Sequence, residues 1–353
     1  APLDWGLGHI SRTIPIIKLL HERGHEVITC GNKISNNIYK KEFSEIKHIE
    51  IQGYKPYYSK KRNQKWALIK QIPKFLKTIY SERKIAEKIS LEQNADIIIS
   101  DNRFGFRSSN TLNIYLTHQL KIKGPSPLMK IVNRINRLFI KKFDHCWVPD
   151  FKNSFLSGEL SQSSLKKTFI GPLSRFKKTV GETKKYKYKF LAIISGPEPQ
   201  RSLLEEEIQN CFLKTNQYCA IINGLINKKE TSFENISFYP HLETTAFKKL
   251  LTKSELVICR SGYSSIMDLY VLQKKVLFIP TPGQTEQEYL AKHHQKTHSI
   301  YYQKQDRIKR PPIAHVVGRM ISECFWDTTH ERGIPRSSHE SKCRNAVNDK
   351  QND

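Results

Sequence analysis

One stretch of this chain has the composition of a nucleotide-binding turn. Residues 256–259 end an apolar run, Arg260-Ser261-Gly262 follow, and a helix is expected to start near Ser264. Gly262 can adopt a positive φ and leaves space for a ligand, and Ser264 or Ser265 is the expected N-cap. Free N–H groups at a helix start bind phosphate, and Asp268, one turn further, is placed to bind a ribose. The alternative is an ordinary strand-to-helix turn of an α/β domain.

Three residues at the ends of apolar runs are candidates for the base in a transfer reaction. His9 ends the segment Gly6-Leu7-Gly8-His9 and is the first choice, because a neutral imidazole titrates near pH 6.5. Asp101 follows residues 95–100, and His118 follows residues 113–117. Two other roles stay open: His9 hydrogen-bonding only its loop or a diphosphate, and Asp101 capping a helix.

A leaving diphosphate needs positive charge. The chain contains no Asp-x-Asp sequence, the type that holds a cation on the diphosphate in many metal-dependent transferases. The amides of residues 261–265 and the side chain of Arg260 are the predicted substitute, so we expect neither a metal nor a cofactor. The alternative for Arg260 is an interdomain salt bridge.

A second polar group follows the apolar residues 275–280. Pro282-Gly283-Gln284 shape a loop, and Glu286-Gln287-Glu288 begin a helix. Two explanations are open, dipole complementation by the glutamates or hydrogen bonding to the hydroxyls of a bound sugar. We favour sugar binding, with Gln284, Gln287 and Glu288 on the donor side.

The elements that must position these residues alternate between strand and helix. Apolar runs such as residues 26–30 and 190–195 are predicted strands, and residues 11–23 and 203–212 are predicted helices. We predict an α/β fold of two Rossmann-like, doubly wound parallel-sheet domains that face a cleft. The domains are residues 1–172 and 190–325, with a linker at 173–189 and a disordered tail at 326–353. The first strand is expected to have lost its start.

These residues resemble the GT-B glycosyltransferases, and within them family 28. The resemblance covers residues 1 to about 325 and is strongest in the second half. The residues that carry it are Ser195-Gly196, Arg260-Ser261-Gly262, Asp268 in place of a ribose-binding glutamate, Gln287-Glu288, Gly6-Leu7-Gly8-His9 and His118-Gln119.

The resemblance implies inverting transfer of a sugar, an N-acetylhexosamine, from a UDP-sugar to a lipid-linked or membrane-associated acceptor. A sugar-nucleotide 2-epimerase shares the two-domain architecture and is the alternative enzyme. A protein that binds polyanions such as RNA is the alternative without catalysis, and it predicts steeply salt-dependent binding.

The charge of the chain favours an anionic partner. Its 353 residues carry a net charge of +26. Residues 55–90 combine lysines with an apolar and aromatic stripe, which is typical of a helix lying on an anionic membrane, although a core helix with a basic face is the alternative. No nucleic-acid motif accompanies the charge, so no specific nucleic acid is expected. Seven cysteines without a Cys-x-x-Cys pair favour buried thiols. We therefore expect a cytoplasmic protein, peripheral on the inner face of the cell membrane.

Overall fold

The first half of the chain alternates helices with short strands. The computed structural model describes residues 1–4, 7–51, 64–124, 129–177, 185–224, 229–298 and 300–308, with the backbone alone at residues 64–72. The helices and strands of this half are α1 (Leu7–Glu22), β1 (Ile28–Gly31), α2 (Lys33–Glu42), β2 (Lys47–Glu50), α3 (Gln64–Glu92), β3 (Ile97–Asp101), β4 (Leu112–Leu116), α4 (Met129–Ile140), β5 (His145–Val148) and β6 (Thr168–Phe169).

The second half repeats the alternation. Its elements are β7 (Tyr188–Ile193), α5 (Gln200–Phe212), β8 (Cys219–Ile222), β9 (Thr231–Phe233), β10 (Ile236–Tyr239), α6 (Thr244–Thr252), β11 (Ser254–Cys259), α7 (Tyr263–Val271), β12 (Lys275–Phe278), α8 (Thr285–His298) and β13 (Tyr301–Tyr302).

One sheet organises the second half, in the order β13-β12-β11-β7-β8-β10-β9. Its pairings are parallel except that of β9 with β10. Alternate residues of β11 pack on opposite faces, with Val257 and Cys259 in one core cluster and Leu256 and Ile258 in the other. Both faces of the sheet are therefore covered, which is why its strands are apolar throughout. This half confirms the predicted doubly wound sheet.

The described strands of the first half form two parallel groups, β1-β2 and β3-β4-β5-β6. One core cluster joins the groups, because it contains Cys30 of β1, Ile98 of β3 and Ala86 of α3. The carboxyl ends of β3 and β4 carry Asp101 and the segment that begins at Thr117. Asp101 and His118, two of the candidates for the base, therefore lie along one edge of the sheet.

Two predicted boundaries are wrong. The helix α1 begins at Leu7, so Gly8 and His9 lie in its first turn and not in a loop before it. The hydroxyl of Ser11 donates to the carbonyl of Gly8 at 3.1 Å, which supports this early start. The strand β7 begins inside the predicted linker, since the N–H of Tyr188 donates to the carbonyl of Lys253.

Several predictions fall outside the described residues. They concern Gly6, the linker at residues 178–184, the end of the second domain at 309–325, the tail at 326–353 and the side chains of residues 64–72. Within the described part of the chain, no helix combines the length and the apolar character of a membrane span. The thiols of Cys30, Cys146, Cys219 and Cys259 are buried, as predicted.

Candidate active site

The turn between β11 and α7 borders an open space. Gly262 is the N-cap of α7 with φ −74° and ψ 140°, so it does not use the positive φ that is open to glycine, and neither Ser264 nor Ser265 caps the helix. A Cβ added to Gly262 would meet no atom within 4 Å. The first N–H groups of α7 have no partner within the helix. The space and the donors that a phosphate requires are therefore both present.

Two helix starts from opposite halves of the chain meet beside this turn. The hydroxyl of Ser264 donates to the carbonyl oxygen of Gly8 at 2.7 Å. A Cβ on Gly8 would stand 3.1 Å from the same hydroxyl oxygen. Gly8 lies in the first turn of α1, and Ser264 lies in the first turn of α7. The positive ends of two helix dipoles therefore converge, and this favours binding of an anion.

Arg260 lies behind the turn and holds the loops of its own half. The side chain is 2% exposed. Burial lowers the pKa of its guanidinium to about 10, so it remains charged at neutral pH. The alternative of an interdomain salt bridge is wrong, and the guanidinium is committed to backbone carbonyls instead of a ligand. The acceptors are Ser195 (3.3 Å), Gln200 (2.8 Å), Ile279 (3.1 Å) and Pro280 (3.2 Å).

Ser195 and Gly196 follow β7 at the same edge and are exposed. The φ of Gly196 is 114°, a conformation that favours glycine. Ser261 is buried, and its hydroxyl donates to the carbonyl of Gln287 at 2.7 Å. Ser195 and Gly196 are therefore accessible to a donor, whereas the side chain of Ser261 holds α8 against the turn.

Asp268 contacts the segment that connects the two halves. Its Oδ1 accepts from the hydroxyl of Ser174 at 2.7 Å and from the N–H of Arg175 at 3.3 Å. Its Oδ2 accepts from Nη2 of Arg175 at 3.1 Å. The carboxylate is only 9% exposed, and the predicted contact of Asp268 with a ribose stays a prediction. The partners lie more than 90 residues away in sequence, which is why the local pattern missed them.

The polar residues at the start of α8 shape their own loop. The side-chain oxygen of Gln287 accepts from the N–H of Thr281 at 2.8 Å, and Glu288 accepts from the N–H of Gly283 at 3.0 Å. The N–H of Gln284 donates to the carbonyl of Thr281. These bonds hold the loop after β12, and the predicted contacts of Gln284, Gln287 and Glu288 with a sugar stay predictions.

His9 and Asp101 form a histidine–carboxylate pair at the first-half edge of the cleft. Nδ1 of His9 lies 3.1 Å from Oδ2 of Asp101, and the imidazole is 17% exposed. Nε of Arg12 donates to Oδ2 of Asp101 at 2.8 Å, and Nη2 of Arg12 donates to Oδ1. Burial alone would raise the pKa of Asp101, but the charges of Arg12 and His9 hold it well below its usual range. Asp101 is therefore ionised at neutral pH, where it orients His9 and is a poor base itself.

His118 is held at both ring nitrogens, an arrangement that disfavours the predicted role as a base. Nη1 of Arg12 lies 3.0 Å from Nδ1, and Glu286 lies 2.8 Å from Nε2. Because Arg12 has only donors, Nδ1 is the acceptor and the ring proton resides on Nε2. Burial lowers the pKa of His118, and its ring stacks on Tyr263 with centroids 3.9 Å apart. Both nitrogens are thus committed within the cleft wall.

Sequence reasoning did not predict the contacts that Arg12, Tyr263 and Glu286 make in the site. One signal was present, because His9 and Arg12 are three residues apart and share a helix face. Glu286 was considered only for its helix dipole or a sugar. Its carboxylate instead crosses the cleft to His118 and Gln119. That contact spans more than 160 residues of sequence, so no local pattern indicates it.

Comparisons with known proteins agree with this architecture. Residues 196–323 match the glycosyltransferase family 28 C-terminal domain. A Buchnera aphidicola relative is 24% identical over 302 residues, covering 80% of this chain and 77% of the relative. That relative is named UDP-N-acetylglucosamine–N-acetylmuramyl-(pentapeptide) pyrophosphoryl-undecaprenol N-acetylglucosamine transferase. A Sulfurihydrogenibium protein of the same name is 25% identical over 41% of each chain.

Solved structures show the same fold. MurG of Acinetobacter baumannii superposes with a TM-score of 0.54 at 12% identity, covering 98% of this chain and 97% of that one. The calicheamicin glycosyltransferase CalG4 superposes with a TM-score of 0.62 at 12% identity, covering 92% and 88%. These likenesses show the GT-B fold. The match of residues 196–323 and the two relatives identify a glycosyltransferase that resembles family 28.

Proposed function

We propose that this enzyme transfers an N-acetylhexosamine from a UDP-sugar to a lipid-linked acceptor, with inversion and without a metal. The observation that carries the proposal is the open space at Gly262, where the starts of α1 and α7 meet next to His9. The family match and the names of the two relatives supply the donor and the class of acceptor. Incubation with UDP-sugars and product analysis tests it, because transfer releases free UDP whereas epimerisation yields another UDP-sugar.

His9 is the proposed base. Asp101 accepts the Nδ1 proton of His9, which leaves the lone pair of Nε2 for an acceptor hydroxyl. As the hydroxyl oxygen bonds to the anomeric carbon, its proton passes to Nε2 and the carbon–diphosphate bond breaks. The electron pair of that bond leaves with the diphosphate. The amides at the start of α7 stabilise the charge that develops there. Attack opposite the leaving group inverts the anomeric carbon.

Substitution of Gly262 tests the donor position. We expect Gly262→Val to weaken UDP binding at least about 10-fold, because a side chain at this position fills the space proposed for the diphosphate. The melting temperature should stay close to wild type, since the backbone is extended and the added Cβ meets no atom within 4 Å. Calorimetric titration with UDP measures the affinity. Wild-type affinity in the variant would mean that the donor binds at another position.

Metal independence has its own test. The proposed positive charge comes from helix amides, and the sequence has no Asp-x-Asp. We therefore expect full turnover after removal of divalent ions with excess EDTA. A strict loss of turnover that Mg²⁺ restores would contradict this part of the proposal.

A membrane surface is the proposed location of the acceptor. The helix α4 exposes Ile131, Val132, Ile135 and Leu138, beside the cations Lys130, Arg134 and Arg137. Leu76 and Tyr80 of α3 are also exposed. An apolar face with flanking cations fits an anionic leaflet, because acyl chains cover the apolar residues and the headgroups pair with the cations. The inner face of the cell membrane is the proposed site of action.

Introduction of negative charge on the apolar face of α4 tests the membrane contact. We expect Ile131→Glu with Leu138→Glu to lower binding to vesicles of mixed neutral and anionic phospholipids more than about 10-fold, because two apolar contacts are lost. Phe233→Glu is the matched control, since Phe233 is 53% exposed on β9 of the other half. Co-sedimentation measures the bound fraction. Equal losses in the two variants would argue against a specific role of α4.

A further inference from the structure

Five side chains form one hydrogen-bonded chain across the cleft. It runs from Glu286 through His118, Arg12 and Asp101 to His9, with distances of 2.8 Å, 3.0 Å, 2.8 Å and 3.1 Å. Glu286 belongs to α8 of the second half, and the other four residues belong to the first half. The proposed base is therefore connected, bond by bond, to the opposite wall of the cleft.

The second half of the protein contacts this series of hydrogen bonds through the elements that are proposed to hold the donor. Tyr263 immediately follows Gly262, and its ring stacks on His118 with an interplanar angle of 2°. Glu286 immediately precedes Gln287, and its second oxygen accepts from Gln119. His118 is thus held by the turn between β11 and α7 on one side and by α8 on the other. Any movement of these two elements relative to the first half changes the environment of His118.

Arg12 lies between His118 and the carboxylate that pairs with His9. Its side chain is 2% exposed, and one guanidinium contacts both Asp101 and His118. A planar guanidinium fixes the relative orientation of its acceptors, unlike an ammonium. Asp101 in turn determines the tautomer and direction of His9. The charges alternate along the chain, with carboxylates at Glu286 and Asp101 and the cation of Arg12 between them.

We propose that Arg12, His118 and Glu286 are positioning residues that assemble the His9–Asp101 base when the cleft is closed. This inference rests on the proposed function, because it takes His9 as the base of the transfer. Closure brings Glu286 and Tyr263 to His118, and His118 and Arg12 then orient Asp101 and His9. The acceptor is therefore deprotonated efficiently only when the two halves are together, which couples proton removal to the donor side of the cleft.

Glu286→Ala compared with Thr285→Ala tests the proposal. The hydroxyl of Thr285 also crosses the cleft, donating to the carbonyl of Lys123 at 2.9 Å, but it has no link to His9. We expect Glu286→Ala to lower kcat about 10- to 100-fold with little change in KM for the UDP-sugar, because a shift of about 1 Å in a catalytic group has effects of this size. Thr285→Ala should stay within about threefold of wild type. Glu286 is 32% exposed, so its loss is compatible with folding.

The pH dependence of kcat separates positioning from general damage. The titratable and charged side chains that are hydrogen-bonded in series with His9 are Asp101, Arg12, His118 and Glu286. Removal of the negative charge in Glu286→Ala should move the acidic limb to lower pH. Arg12→Lys keeps the charge but loses the two-sided contact, so it should lower kcat about 10-fold and leave that limb in place.

Three results would overturn the proposal. They are a wild-type kcat in Glu286→Ala, an equal loss in Thr285→Ala, or an acidic limb that does not move in Glu286→Ala. Failure of the proposed function gives a different pattern, namely a wild-type protein without transfer or a His9→Gln variant with full turnover. Glu286→Ala and Thr285→Ala suffice for the decision if Arg12→Lys does not fold.

Discussion

His9→Gln is expected to lower kcat by about 10²–10⁴-fold, because it removes a general base while its amide still fills the site. The imidazole is 17% exposed and bonded to Asp101, so the fold should tolerate the change. Affinity for UDP should stay close to wild type, since the proposed diphosphate contacts are made by backbone amides of α7. Steady-state turnover and calorimetric titration with UDP measure the two quantities.

Asp101→Asn is the companion variant for this test. An asparagine retains the shape but loses the charge that holds Nδ1–H of His9, so a smaller fall in kcat is expected from misorientation of the imidazole. Near-full turnover in His9→Gln together with complete loss in Asp101→Asn would contradict the assignment. Asp101 would then be the base, although the charge of Arg12 holds the pKa of its carboxyl well below its usual range despite burial.

Asp101→Leu is expected to lower the free energy of unfolding by about 3–5 kcal/mol, because it leaves the guanidinium of Arg12 buried without its carboxylate. Asp101 is fully buried and Arg12 is 2% exposed, so water replaces little of the lost pairing. Urea unfolding of the two proteins at pH 7 measures the difference. The double variant Arg12→Met/Asp101→Leu is the control, and it should recover most of the loss because neither charge remains.

The same pair predicts the acid limit of stability. The folded-state pKa of Asp101 is depressed by Arg12 and His9 although burial opposes this. The ionised carboxylate therefore contributes its full stabilisation above about pH 4, the ordinary value for an aspartate, and loses it as the pH falls further. The difference between wild type and Asp101→Leu should shrink between about pH 4 and pH 2. A difference that is independent of pH, or a double variant as unstable as the single one, would contradict the pairing argument.

Local pattern predicted the elements around the site well. Residues 256–259 are apolar because both faces of β11 are covered, and that run identified the strand before the turn. The space beside Gly262 was also predicted correctly, although the backbone reaches it through an extended N-cap and not a positive φ. A glycine can serve a ligand through its missing side chain alone, and sequence does not separate that use from conformational freedom.

Two predicted site residues have partners that are distant in sequence, which local pattern did not indicate. Asp268 was read as a ribose ligand, but Ser174 and Arg175 bind its carboxylate. His118 was a candidate base, but Arg12 and Glu286 occupy both of its nitrogens. A polar side chain has the same identity whether it faces a ligand or another residue, so its role depends on what the fold brings beside it.

The sequence by itself determined the alternation of strands and helices, the family resemblance and the sheet edge at which the polar residues gather. These properties follow from the periodicity of apolar residues and from glycines and polar residues at short spacings, which are local. Only the tertiary structure decided which polar groups are free and which are paired. The pairing depends on contacts between the two halves, at Gly8–Ser264 and His118–Glu286, which join residues more than 160 positions apart.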